Sequence, residues 1–82
     1  VSETTEKVLA AAEALVSATV ERCAAEIEVI LMELRPGFDA ARERGDDAAM
    51  DRCAARIRTA ENCLAAVRSI DVGGLAARVR RS

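Results

Sequence analysis

Cys23, Cys53 and Cys63 are the side chains of this 82-residue sequence best equipped for chemistry, and their spacing assigns them none. A metal site needs closely spaced thiolates or histidines to complete the ligand set. Here no C-x-x-C pair occurs and histidine is absent. Nucleophilic catalysis fails on the same ground, because no base accompanies a Ser or Cys in a recognisable pattern. Glu26 and Glu33 come closest to a carboxylate pair for acid–base work. Seven residues apart, they share one side of a helix two turns from each other, with no cleft implied around them. Gly73-Gly74 is too short to cradle a phosphate. With Tyr and Trp also missing, the residues predict a protein that is not an enzyme and needs no metal, cofactor or small-molecule substrate.

Charge offers more. The formal net charge of −2 hides two unlike halves. Residues 1–34 carry seven Glu against Lys7 and Arg22, a net −5; residues 35–82 carry ten Arg against seven acids, a net +3. Glu6, Glu13, Glu21 and Glu28 line one flank of the acidic half, a geometry able to occupy a basic groove that normally receives DNA or RNA. Arg52 and Arg56, one helical turn apart, and Arg78, Arg80 and Arg81 near the end could contact phosphates. Asp46, Asp47 and Asp51 dilute that patch, no aromatics interleave it, and the pI is near 5.1, so nucleic acid is not the favoured partner.

The elements that position these groups are helical. Met50, Cys53, Ile57, Ala60, Leu64 and Val67 recur at steps of three and four, as do Leu9, Ala12, Val16, Val20, Cys23, Ile27, Ile30 and Leu34. Ser2 or Thr4 caps a first helix over about 4–34. Arg35-Pro36 breaks it, because the Pro ring disfavours the α conformation of the preceding residue, and Pro36 then opens a short helix over 36–44. Gly45 supplies a left-handed stop and Asp46 the cap of a helix over 47–69. Gly73-Gly74 ends any continuation, after which Leu75 and Val79 permit a short helix over 75–81, the alternative being a basic tail that stays frayed until something acidic orders it. The expected fold is all-α: one domain, an antiparallel helical hairpin or small bundle with a long first helix. Two stripes so placed make Cys23 and Cys53 small buried hydrophobes and bring Cys63 towards Cys23, where a bridge could form if the backbone spacing permits.

Of the hydrophobic residues, 18 are alanine and only 19 are Val, Leu, Ile or Phe, a thin core for a lone hairpin. A third helix, a second copy or a partner is needed to complete it. Val29 and Met32 extend an alanine arc opposite the main stripe and are candidates for a further contact surface. Phe38, the one aromatic ring, is expected to plug the hairpin end. No apolar run is long enough to span a membrane and no signal pattern opens the sequence, so a cytoplasmic protein is expected. The leading functional expectation is a protein–protein interaction or regulatory module, dimeric, acting through helix surfaces. A phage-type inhibitor blocking a nucleic-acid-handling bacterial defence complex through the acidic face comes second. A nucleic-acid-associated protein using the Arg-rich half comes third.

Overall fold

The Ser2 hydroxyl oxygen accepts a hydrogen bond from the Thr5 backbone N–H at 3.1 Å, which starts the first helix, and Glu3 and Glu6 complement its positive end. The computed structural model describes residues 2–82, and among these the chain is all-α with no strand. Helix α1 runs from Glu3 to Arg44, α2 from Asp47 to Arg68 and α3 from Val72 to Arg81.

The break expected at Arg35-Pro36 does not occur, and 36–44 is no separate helix: Pro36 sits inside α1. Proline removes one backbone hydrogen bond and crowds the preceding turn, at a cost of about 3 kcal/mol. Packing on both sides offsets that cost. Leu31 is 8% exposed and Ala41 1%, one on either side of Pro36, and both lie on the side of α1 that meets α2. A helix broken between them would pull one of the two off the contact.

Past Arg44 the chain turns through Gly45 at φ 66°, a left-handed conformation that costs other residues about 1–2 kcal/mol. The Asp46 N–H donates to the Ala41 carbonyl at 3.0 Å and the Gly45 N–H to that of Arg42 at 3.1 Å, closing the helix end. The Asp46 carboxylate then accepts from the Ala49 N–H and opens α2. At the next junction the Asp71 carboxylate accepts from the Gly74 N–H at 2.9 Å, so α3 begins at Val72. Gly73-Gly74 therefore lies in the first turn of α3 instead of ending a helix, and α3 starts three residues before the expected Leu75. A Cβ on Gly74 would collide with the Asp71 carboxylate that caps it.

Both α2 and α3 pack on α1 and not on each other. Gly37 lies beside Cys53 and Glu28 pairs with Arg68, so α2 retraces α1 from the turn. Arg80 pairs with Glu6, so α3 continues along the start of α1. At about 1.5 Å per residue, α1 alone is about 63 Å long. It sets the overall extents of 64 × 18 × 10 Å. The radius of gyration is 19.2 Å, against about 12 Å for a compact chain of this length. The molecule is thus an extended single layer and not a compact small bundle. The physical reason is length: α2 is too short to reach the first half of α1, and α3 covers that half instead of closing a core over the other two.

Two substitutions test the continuous spine. Pro36→Ala should raise stability by about 1–3 kcal/mol and the thermal midpoint by roughly 4 °C or more, with helix content unchanged on circular dichroism. A lower midpoint would mean that Pro36 starts a helix after all. Gly45→Ala should lower stability by about 1 kcal/mol.

Candidate functional site

Seven-residue lines organise α1. Glu6, Glu13, Val20, Ile27, Leu34 and Ala41 form one; Ser17, Ala24, Leu31 and Phe38 form the next; all are shielded by α2 or α3. A strict seven-residue repeat keeps one seam against a neighbour as the helix coils. The expected α1 stripe is therefore half right. Leu9, Val20, Ile27 and Leu34 are partly buried, but Val16, Cys23 and Ile30 lie on the adjoining line and are exposed. On α2 the expected stripe, Met50 to Val67, is the partly buried side throughout.

The layer consequently has two unlike broad faces. On one, Leu9, Val16, Cys23 and Ile30 of α1 run in line at seven-residue spacing. Leu9, Ala12 and Val16 border a groove with Leu75, Ala76 and Val79 of α3, whose lining is wholly apolar but for Glu13. Further along, Ile30 and Leu34 border a second groove with Ala55, Arg56, Thr59 and Ala60 of α2. Val16, Ile30, Leu75 and Val79 are 43–55% exposed on this side. The reverse face carries a more polar groove, where Arg35, Asp39, Arg58 and Glu61 surround Phe38 and Ile57. Phe38 is half-buried there between the two helices.

Val29 and Met32 lie on neither face. They project from the outer edge of α1 and are 48% and 72% exposed, in the company of Val8 and Leu15. Arg22 interrupts that edge one heptad before Val29.

Much of the acidic flank is paired within the chain. The Arg80 guanidinium donates to both carboxylate oxygens of Glu6, at 3.0 and 3.1 Å, and lies 3.7 Å from Glu13. Glu28 pairs with Arg68. Glu21 alone of the four has no cation within ion-pair distance among the described residues, and Arg52, Arg56, Arg78 and Arg81 likewise have no carboxylate partner among them. Arg56 borders the Ile30 groove.

Cys23 and Cys63 are exposed, Cys53 is half-buried, and all three are free. Cys23 is thus not the buried hydrophobe expected. It falls seven residues after Val16, on the line that α2 and α3 leave uncovered. Leu31 is the most important residue missing from the expected seam. Its signal is the apolar repeat Ala24, Leu31, Phe38, which polar Ser17 obscures at the N-terminal end.

Removing the Arg80 clamp should free α3 selectively. Arg80→Ala is expected to speed amide exchange several-fold over residues 72–81 and leave α2 unchanged, since exposed ion pairs contribute about 0.2–1 kcal/mol each. Equal acceleration in α2 would count against the clamp. No family model, no curated protein and no solved structure matches the chain.

Proposed function

We propose that this chain is a small, non-enzymatic protein–protein interaction or regulatory module of the cytoplasm: an antiparallel helical hairpin, prolonged by α3, that forms one layer of a bundle whose second layer another protein molecule provides. The docking surface is the apolar face of Leu9, Val16, Cys23 and Ile30 with Leu75 and Val79.

One observation carries this reading. The chain exposes 6027 Å² of surface at a mass of 8.7 kDa. A compact monomer of that mass exposes about 4,700 Å², so about 1,300 Å² remains uncovered that folding would ordinarily bury. That excess exceeds the roughly 800 Å² per partner of a standard protein–protein interface. Val16, Ile30, Leu75 and Val79 expose aliphatic surface on the face named above, and such surface marks interaction sites. Unpaired cysteines agree with a reducing compartment. The inhibitor reading has less support, because Glu6, Glu13 and Glu28 already answer Arg80 and Arg68 and present less free charge to a basic groove.

A photo-activated benzoylphenylalanine placed at Ile30, and separately at Met32, tests the surface in cells that make the protein. Adducts to protein are expected from position 30 and not from position 32. The opposite pattern, or none from either, would overturn the reading. As a second check, Val16→Glu with Ile30→Glu should abolish the association and preserve helix content, whereas Val29→Glu with Met32→Glu should leave it intact.

A further inference from the structure

Resting on that reading, we infer that the second layer is a second copy of this chain, related by a two-fold axis along the rod, so that α1 of each copy lies over α2 and α3 of the other. Three observations on the open face lead there.

The first is height along the rod. Leu9 and Val16 share a groove with Leu75 and Val79, and Ile30 shares one with Thr59 and Ala60. Residues that share a groove lie level with each other. A two-fold axis along the rod preserves height, so it carries Leu9 and Val16 of one copy over Leu75 and Val79 of the other. By the same step Ile30 comes over the stretch of α2 around Thr59 and Cys63. Large aliphatic groups then meet one another at the α3 end of the layer, and at the α2 end Ile30 meets the short side chains around Thr59 and Ala60. The result is a bundle in which every neighbouring pair of helices runs antiparallel.

The second is charge. Stacking α1 on α1 would bring together two segments that each carry a net −5 over residues 1–34. Stacking α1 on α2 sets that segment against the Arg-bearing one instead. Glu33 and Arg56 make this specific. Each lacks an ion-pair partner among the described residues, and both are exposed. Ile30 and Leu34 both border the groove that Arg56 borders, and Glu33 lies between them along α1, which places it near the height of Arg56. Across the two-fold axis they come opposite one another, twice per dimer.

The third is area. About 1,300 Å² of surplus surface on each of two copies suffices for an obligate homodimer interface, which runs upward of about 2,000 Å² in total. A two-fold contact requires a self-complementary face, and here the apolar grooves and the Glu33–Arg56 pair supply that match.

Sedimentation equilibrium of the purified, reduced chain between roughly 10 and 500 µM should give twice the monomer mass. A monomer throughout overturns the inference; adducts from Ile30 to a different protein would in that case leave the broader reading standing. The arrangement is tested by charge reversal. Glu33→Arg and Arg56→Glu should each weaken the dimer roughly tenfold, and together they should restore it to within about twofold of wild type. Two weakened singles without restoration in the double variant would overturn the α1-over-α2 arrangement. So would rapid disulfide cross-linking through Cys23 alone, in a Cys53→Ala, Cys63→Ser background, because Cys23 meets its own copy only where α1 stacks on α1. Circular dichroism of each variant separates loss of assembly from loss of helix.

Discussion

The unbroken seam of α1 is the constraint on which the rest of the structure depends. Neither α2 nor α3 contacts the other, so each is held in place only by the spine they share. That spine must cross Pro36, where the local preference is to stop. The competition can be weighed. An interior proline costs about 3 kcal/mol, and each large aliphatic removed from water contributes about 1.5–3 kcal/mol. Leu31, Leu34 and Phe38 flank Pro36 within five residues, and all three are at least half shielded on the same side. Keeping them in register with α2 is worth more than the local gain from a break. Continuity through Pro36 also fixes the length of the molecule, and with it the exposure of both faces.

Charge then settles which helix goes where. An acidic first half and a basic second half give α2 and α3 a reason to lie back along α1 and not to extend away from it. Arg68 with Glu28 and Arg80 with Glu6 and Glu13 are the points where that attraction becomes contact. Such partly exposed pairs contribute little individually, yet they fall at the far ends of α2 and α3, where a small bias sets direction. These contacts use two of the ten arginines of residues 35–82 and three of the seven glutamates of residues 1–34, so much of the asymmetry stays unpaired between the halves. What is left, Glu33 and Arg56 among it, is the part free to act on a second molecule.

The α2 stripe was fully legible in the sequence, because that helix has one apolar side and polar residues elsewhere. The caps were legible too, since Ser2, Gly45 and Asp46 act through neighbours only three to five residues away. On α1 the pattern is ambiguous for a physical reason. Its apolar residues fill three adjoining lines per heptad, and steps of three and four from Leu9 drift from one line to the next. Which two lines α2 and α3 cover depends on those helices, so nothing local to α1 distinguishes Val16 and Ile30 from Val20 and Leu31. Pro36 and Gly73-Gly74 misled in the same direction. Both carry strong local preferences to end a helix, and both were overruled by contacts with residues remote in sequence or, at Gly74, by a capping carboxylate. Val29 and Met32 stand out correctly as exposed apolar groups, but periodicity alone could not show that a broader apolar face lies beside them.

A single layer of helices has almost no interior. Leu31, Ala41 and Ala76 are the buried hydrophobic residues among those described, and no large side chain is fully enclosed. Two of the three are alanines, which let backbones approach but remove little apolar surface from water. Ordering 82 residues costs about 1–2 kcal/mol each in backbone entropy alone, a sum that so small a core is poorly placed to offset. The half-exposed aliphatics are the obvious reserve, since each gains most when its open side is covered. It follows from the proposed assembly that folding and association are one free-energy quantity in this protein and not two. Its stability should then depend on concentration as that of an obligate assembly does. In that proposed assembly α1, α2 and α3, which have the lengths and stripes of bundle helices, would gain the interior that a single layer lacks.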